Sequence, residues 1–194
     1  MRPRVDAPLP PELAEAIVLD RAGAPSPLGT HLRGAPCLVS FLRHFGCTGC
    51  ADHVADLAPR LPELHRLGLR TVFVGNGEPR YIDGFLERAG LATARVDVVT
   101  DPTLRVFAAA GLVRSAWATL GPRALADVLR ARSHGIAGRG MEGDHFQQGG
   151  ALVVDVDGAV AFFHASASLG DHPRATDLVD VALRLVARSS DVVY

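Results

Sequence analysis

The sequence predicts an α/β fold in which a mixed central sheet carries helices on both faces. Buried apolar runs alternate with segments of helical periodicity, and two short strands and a last helix follow them. Alternating strands and helices are typical of parallel strands joined by crossover helices, and a tight turn between the last two strands adds antiparallel pairing. The chain has 194 residues, 48% of them hydrophobic, which suits one domain with a full-sized core.

The predicted central strands are near-continuous apolar runs, a pattern typical of strands covered on both faces. They are Pro36–Arg43, Leu69–Asn76 and Ala94–Asp101. Residues 151–166 read as two further strands, joined by a tight turn at Asp157-Gly158.

Helical periodicity marks five segments, which are residues 50–68, 78–90, 102–111, 115–132 and 171–188. Pro59 and Pro62 should divide the first of them, and Gly121-Pro122 should interrupt the fourth. We expect Asp171 to cap the last helix and Trp117 to lie in the core or a pocket wall.

Residues 1–11 are proline-rich and are predicted to be a flexible arm preceding a single domain, residues 12–194. Residues 133–150 contain six glycines and are predicted to form a long loop.

Composition argues against several classes of function. A net charge of −1, with scattered arginines and no lysine, favours neither nucleic acid nor an anionic membrane as a partner. The N-terminal sequence lacks the apolar region of a secretory signal, and no apolar run is long enough to span a bilayer, so we expect a cytoplasmic protein. No Gly-x-Gly-x-x-Gly or phosphate loop is present, and we expect no bound cofactor.

The sequence HFGCTGC, residues 44–50, places two of the three cysteines at the end of the first predicted strand. The third, Cys37, falls inside that strand, where we expect it to be buried and inert. A structural zinc site needs four ligands, and a disulfide that closes so short a loop stabilises little. The pattern therefore favours a redox pair in a reducing compartment, with a copper or zinc carrier using the pair and a histidine, such as His44 or His53, as an alternative.

Cys47 and Cys50 are the predicted catalytic residues. The free N–H groups of a helix N-terminus favour an anion, so Cys47 should be exposed and have a lowered pKa, while Cys50 should be more buried and resolve the bond made at Cys47. A strand, a Cys-x-x-Cys pair and a helix in this order are the thioredoxin-like redox signature. Four residues are candidates for substrate contact or support: His44 as a proton relay, Thr48 as a hydrogen-bond donor to Cys47 or a helix cap, and His145 and Gln148 in the glycine-rich loop.

Three segments, residues 38–50, 98–112 and 143–173, carry a family resemblance. They resemble peroxiredoxin-like proteins related to alkyl hydroperoxide reductase and thiol-specific antioxidant, a family that includes prostamide/prostaglandin F synthase. Their joint order spans roughly residues 30–175. The resemblance implies a thioredoxin-like fold and an antioxidant enzyme that reduces peroxides or related oxidised substrates with thiols.

The sequence departs from that family at the cysteine motif. Typical peroxiredoxins carry Pro-x-x-x-Thr/Ser-x-x-Cys, whereas His44 and Ser40 stand three and seven residues before Cys47 here. The hydroxyl that orients the peroxide is absent, so we expect slow reduction of hydrogen peroxide. Gly149-Gly150 stands where thioredoxins place a cis-proline, which weakens an interpretation as a general protein-disulfide reductase.

The leading hypothesis is a thiol-dependent oxidoreductase that reduces a peroxide, an endoperoxide or a disulfide. The expected partners are a small oxidised substrate and a reductant such as thioredoxin or glutathione. The sequence leaves open whether the protein forms a homodimer. Besides the metal carrier, the alternatives are a redox-sensing binding module and a specialised biosynthetic enzyme on the same scaffold.

Overall fold

The structure, a computed structural model, describes residues 2–133, 135 and 142–191, with side chains as far as residue 188. Its helices and strands follow one another along the chain as α1 (Pro11–Ala14), β1 (Ile17–Leu19), β2 (Pro25–Pro27), α2 (Leu28–His31), β3 (Cys37–Phe41), α3 (Thr48–Leu57), α4 (Leu61–Arg66), β4 (Arg70–Gly75), α5 (Ile82–Arg88), β5 (Asp97–Thr100), α6 (Arg105–Ala109), α7 (Ala116–Leu120), α8 (Pro122–Ser133), β6 (Gly150–Val154), β7 (Val160–Ala165) and α9 (Ala175–Asp191).

The strands of the described residues form one seven-stranded mixed sheet, in the order β2-β1-β5-β4-β3-β6-β7. Strands β3, β4 and β5 are parallel to one another, and β6 and β7 form the antiparallel hairpin at one end. Every residue of β3 is buried, as the apolar run predicted. The mixed sheet expected from the sequence is confirmed.

Two apolar cores lie on the two faces of this sheet, because successive side chains of a strand point to opposite faces. Leu38 and Phe73 belong to the core that α3, α4, α5 and α9 cover. Val39 and Val74 belong to the other, which packs against α1, α2 and α6. Helices therefore cover both faces, as predicted.

Prolines end helices where the sequence indicated. The first helical segment divides into α3, a short 3₁₀ turn at Ala58–Arg60 and α4, with Pro59 and Pro62 in the first turns of the later pieces. The break at Gly121-Pro122 separates α7 from α8. Proline removes a backbone donor and clashes with the preceding turn, so it is tolerated only where a helix begins.

Two expectations about single residues were wrong. Asp171 does not cap α9, because its carboxylate accepts a hydrogen bond from the Ala167 amide (2.6 Å) and the first amide of α9, at Ala175, is bound by Asp56 (2.8 Å). Trp117 is 78% exposed rather than in the core. Its five-residue helix α7 has no buried residue, so nothing carries the ring inward.

The N-terminal region contains structure that the sequence analysis did not indicate. Strands β1 and β2 pair with each other, and Leu19 pairs with Thr100 at the edge of the sheet. Within the predicted arm, the amides of Asp6 and Leu9 donate hydrogen bonds to Val160 and Gly158, both at 2.9 Å. This part of the arm therefore lies along the last hairpin, and the domain boundary at residue 12 stays a prediction. In the part of the chain described, no helix has the length and apolarity to cross a membrane.

Candidate active site

The cysteine pair lies where β3 gives way to α3. Cys47 is the N-cap of α3, and its own amide donates to the His44 carbonyl at 3.1 Å, closing a turn between strand and helix. Strands β3, β4 and β5 are parallel to one another, so the loops that follow them reach the same edge of the sheet. Ligand sites of open α/β sheets form at that edge.

The two sulfurs differ sharply in their electrostatics. The Cys50 thiol donates a hydrogen bond to the Cys47 sulfur, and this bond is the largest of the effects that hold the pKa of Cys47 below its usual value. The amides of Gly49 and Cys50 and the charge of Arg43 act in the same direction against burial. Burial and its role as donor raise the pKa of Cys50 well above its usual value. The prediction of a lowered pKa at Cys47 therefore agrees with the structure, although the partner thiol contributes more than the helix terminus.

The expected exposure of Cys47 is not found. Cys47 is 4% exposed and Cys50 2%, so both are buried. Cys47 instead lines a cleft of about 470 Å³ between α3 and α5. Phe45 and Val54 line the same cleft.

The cleft is mostly apolar. Arg88 is the charged residue among the described residues that line it, and its guanidinium is paired with the Glu142 carboxylate at 2.5 Å. A second, weaker contact joins Arg88 to the Phe45 carbonyl at 3.4 Å. The residues lining the cleft are Phe45, Gly46, Cys47, Ala51, Val54, Ala55, Phe85, Arg88, Ala89 and Gly135. Such a surface suits the apolar part of a small organic molecule.

Arg43, two residues beyond β3, is a further member of the site. Its side chain is 1% exposed, and its backbone amide donates to the Cys50 sulfur at 3.1 Å. Its guanidinium donates to the carbonyls of Gln147 (3.1 Å) and His145 (2.5 Å) and to the Thr119 hydroxyl (2.7 Å). Arg43 thereby ties the glycine-rich loop to the cysteine pair.

The structure brings together two of the candidate site residues, His44 and His145. Their ring centroids are 4.3 Å apart, and each ring has one buried nitrogen without a partner among the described residues, Nδ1 of His44 and Nε2 of His145. Burial, with help from the neighbouring His145 and Arg43, lowers the pKa of His44 to about 3. A relay through His44 would therefore start from a neutral imidazole at neutral pH.

Thr48 lies at the start of α3, and Gln148 lies in the glycine-rich loop. Thr48 is the first residue of α3, and its hydroxyl is not among the groups that lower the pKa of Cys47. Gln148 is 1% exposed, and its amide nitrogen donates to the Ser115 carbonyl (3.3 Å) and the Thr119 hydroxyl (3.2 Å). Gln148 therefore shares Thr119 with Arg43. Of the predicted loop 133–150, residues 134 and 136–141 lie outside the described residues.

Asn76, which the sequence analysis did not single out, fastens the glycine-rich loop to the strand edge. Its amide nitrogen donates to the carbonyls of Arg43 and Asp144, and its amide oxygen accepts from the Asp144 amide at 2.9 Å. The signal was available, because Asn76 directly follows a buried parallel strand, where polar side chains gather at the site edge.

No group of three or more His, Cys, Asp or Glu side chains among the described residues is arranged to hold a metal ion. His53, one helical turn beyond Cys50, contacts the Ser40 hydroxyl at 3.2 Å and stacks on His172, with ring centroids 4.7 Å apart. The metal-carrier alternative gains no support from this arrangement.

Comparison with known proteins adds a family context. The sequence profile described as AhpC/TSA antioxidant enzyme matches residues 56–168, more than half of the chain. The matched range begins after Cys47 and Cys50, so the match itself assigns no role to the pair.

Two curated relatives and one solved structure illustrate the similarity. The chain is 27% identical to peroxiredoxin-like 2C of Bos taurus over 176 residues, covering 85% of this chain and 75% of the bovine protein. It is 28% identical to prostamide/prostaglandin F synthase of Salmo salar over 152 residues, covering 75% and 74% of the two chains. Peroxidoxin BcpB from Mycobacterium tuberculosis superposes with a TM-score of 0.64 at 16% identity over 94% of this chain and 97% of that one, which shows the thioredoxin-like fold of peroxiredoxins.

Proposed function

Since the chain belongs to the peroxiredoxin-like AhpC/TSA antioxidant enzyme family, whose members are mostly enzymes, we propose that it reduces an organic peroxide or endoperoxide with Cys47 and Cys50. The observation that carries the proposal is the placement of Cys47. Cys47, whose thiol has a lowered pKa, is the cysteine among the described residues that line the apolar cleft.

The chemistry follows from the two unequal thiols. With a hydroperoxide, the Cys47 thiolate attacks the terminal peroxide oxygen, the O–O bond breaks, and the alkoxide takes up a proton and leaves as the alcohol, which oxidises Cys47 to a sulfenic acid. With an endoperoxide, the attacked oxygen stays bonded to carbon, so Cys47 becomes a sulfenate ester and the other oxygen takes up a proton as an alcohol. Cys50, whose thiol contacts the Cys47 sulfur, then displaces the hydroxyl as water, or the ester oxygen as the second alcohol, and closes the disulfide. A dithiol such as thioredoxin, or two molecules of glutathione, returns two electrons and two protons.

The cleft favours a substrate with an apolar substituent. Phe45, Val54 and Phe85 offer apolar contact beside the sulfur, whereas the charge of Arg88 is already matched by Glu142. An uncharged apolar group therefore gains more from this cleft than a small polar molecule such as hydrogen peroxide, which leaves the apolar walls uncovered.

The roles of the two cysteines can be tested with single substitutions. Cys47→Ser should abolish turnover of an organic hydroperoxide, because it removes the sulfur with the lowered pKa. Cys50→Ser should still react once and then stop, with a sulfenic acid or a mixed disulfide trapped on Cys47. Intact-mass and peptide mass spectrometry after exposure to cumene hydroperoxide locates the adduct.

The Cys37→Ser variant is the matched control and should turn over normally, since Cys37 lies within β3. An adduct on Cys50 in the Cys47→Ser protein would reverse the assignment. Unchanged turnover in both variants would remove the redox proposal altogether.

Substrate choice gives a second test. We expect hydrogen peroxide to react about 10²-fold more slowly than with a dedicated peroxiredoxin, since small errors in orienting the peroxide cost about this factor. Stopped-flow rates for hydrogen peroxide and cumene hydroperoxide, measured on the reduced protein, should favour the bulky peroxide. A hydrogen peroxide rate equal to that of a dedicated peroxiredoxin measured in parallel contradicts this expectation.

A further inference from the structure

Arg43 is a fully buried cation without a carboxylate partner among the described residues. Its three side-chain hydrogen bonds end on neutral acceptors, which are the carbonyls of His145 and Gln147 and the hydroxyl of Thr119. Its remaining nitrogen, Nη1, is buried and has no partner in the part of the chain described. The other nearby arginines differ, because Arg88 and Arg114 are paired with Glu142 and Asp144.

A buried charge without a counter-ion is expensive, and arginine keeps its proton even where a lysine would lose it. Neutral dipoles recover part of this cost, but an anion in the same low-dielectric site recovers more. The fold therefore either bears a large penalty at Arg43 or supplies an anion close to it.

The cysteine pair can supply that anion. The backbone amide of Arg43 donates a hydrogen bond to the Cys50 sulfur, so Arg43 lies directly beside the pair. The charge of its side chain lowers the pKa of both cysteines and thereby favours a thiolate. Cys47 is the one that ionises, because the Cys50 thiol serves it as hydrogen-bond donor.

Building on the proposed redox function, we propose that Arg43 is the buried counter-charge of the Cys47 thiolate, and that it favours the dithiol form of the pair over the disulfide. Formation of the Cys47–Cys50 disulfide removes the negative charge and leaves the guanidinium uncompensated. The disulfide of this chain is therefore a strong oxidant, readily reduced by cellular thiols.

The same charge assists the step that regenerates the enzyme. A donor dithiol first forms a mixed disulfide with Cys47 through one of its two sulfurs. The second thiolate of the donor then attacks the donor sulfur that is bonded to Cys47. The bond to Cys47 breaks, and its electron pair stays on Cys47. The donor leaves as its own disulfide. A leaving thiolate of low pKa departs faster, so a cation beside Cys47 speeds this step as well as favouring its product.

Redox equilibration with glutathione tests the proposal. Wild-type protein, Arg43→Met and Arg43→Lys are brought to equilibrium in buffers of reduced and oxidised glutathione, and the disulfide fraction is read by thiol trapping and mass spectrometry. Arg43→Met should favour the disulfide tenfold or more, a shift of about 30 mV for each factor of ten. Arg43→Lys should lie between the wild type and Arg43→Met, because a buried lysine keeps its proton while the thiolate is beside it and can release the proton once the disulfide has formed. The control Arg114→Met removes an arginine already matched by Asp144 and should leave the equilibrium unchanged.

Thiolate absorbance in a pH titration gives a second readout on the same proteins. The Cys47 thiolate should form at higher pH in Arg43→Met than in the wild type or in Arg43→Lys. If the wild type forms the disulfide and Arg43→Met shares its equilibrium and its titration, Arg43 is not the counter-charge and the inference fails. If the wild type forms no Cys47–Cys50 disulfide under any buffer, the proposed function fails instead.

A measurement on the unsubstituted chain guards against a variant that does not fold. The dithiol form should resist urea better than the disulfide form at neutral pH, although a cross-link ordinarily stabilises the form that contains it. A disulfide form that is the more resistant of the two overturns the proposal.

Discussion

At the scale of single residues, the three cysteine thiols differ in pKa because their surroundings differ. Cys50 donates to Cys47, and the Cys47 sulfur accepts from Cys50 and from backbone amides. Cys37, in the middle of the sheet, has no exposed surface, and burial raises its pKa to about 12. Reactivity follows the thiolate fraction, so in the proposed function one residue type serves as nucleophile and as resolving thiol, while at Cys37 it fills the core.

The inertness of Cys37 can be measured directly. In the double variant Cys47→Ser, Cys50→Ser, the single remaining thiol should react with iodoacetamide at pH 8 about 10³-fold more slowly in the native than in the urea-unfolded protein. The rise in pKa alone lowers the thiolate fraction by about this factor, since each pKa unit is tenfold. Mass spectrometry of timed samples gives both rates. Equally fast labelling in the native state would place Cys37 outside the sheet.

The cysteine pair could be predicted from the sequence, whereas its electrostatic environment could not. Spacing and a preceding apolar run located Cys47 and Cys50 next to a helix start. Arg43 gave no signal, because arginine is rarely buried and its acceptors lie more than 70 positions along the chain. The exposure predicted for Cys47 was wrong for a related reason, since the cleft walls come from α3, α5 and the turn at Phe45.

At the scale of elements, the junction between β3 and α3 depends on close contact with the chain before α9. A Cβ atom at Gly49 would lie 2.2 Å from the Leu169 carbonyl oxygen and 2.5 Å from the Leu169 side chain, so no side chain fits there. Gly49 thus allows the first turn of α3, with both cysteines, to rest against that segment.

Gly49→Ala should lower the free energy of unfolding by about 1–3 kcal/mol, the usual cost of overpacking a tight contact, and should slow the reaction of Cys47. Urea unfolding and peroxide kinetics measure the two effects. The neighbouring Thr48→Ala is the control, with a stability change within about 0.5 kcal/mol and an unchanged Cys47 titration. If Gly49→Ala is as stable as the wild type, the close approach to Leu169 is not a constraint.

Long apolar runs were sufficient to predict elements, and short ones were not. Strands β3 and β4 were recognised because each is an apolar run covered on both faces. Strands β1 and β2 have three residues each, and β2 begins and ends with proline, so no alternation could be read. Strands this short form because they pair with neighbouring strands, and that pairing depends on tertiary contacts that the local sequence does not show.

At the scale of the whole molecule, buried histidines near the site link its stability to pH. His44 and His53 are 6% and 5% exposed, and His172 stacks on His53. Burial lowers the pKa of His44 to about 3 and of His172 to about 4, and it lowers the pKa of His53 well below its usual value. All three are neutral in the folded protein at neutral pH.

The sign of the effect follows from linkage. In the unfolded chain these histidines titrate near the usual value of about 6.5, so below that pH the unfolded state binds more protons than the folded state. The stabilisation is complete above about pH 6.5 and is lost as the pH falls towards 4, by up to about 1.4 kcal/mol per pH unit for each histidine.

We therefore expect the urea midpoint to fall steeply between pH 6.5 and 4.5. Between pH 7 and 8 it should still rise, because the unfolded chain holds a proton on Cys47 that the folded protein has released, and this rise should disappear in Cys47→Ser. The variant His172→Phe keeps an aromatic ring against His53 but cannot take up a proton, so its slope in the acid range should be smaller by up to about one third, since burial also lowers the pKa of a fourth histidine, His65. The control His31→Gln alters a partly buried histidine that contacts the Ser26 hydroxyl, far from this cluster in the chain, and should keep the wild-type slope. A midpoint that stays constant from pH 7 to 5 would mean that these histidines already bind protons in the folded state, which the burial of His44 and His53 opposes.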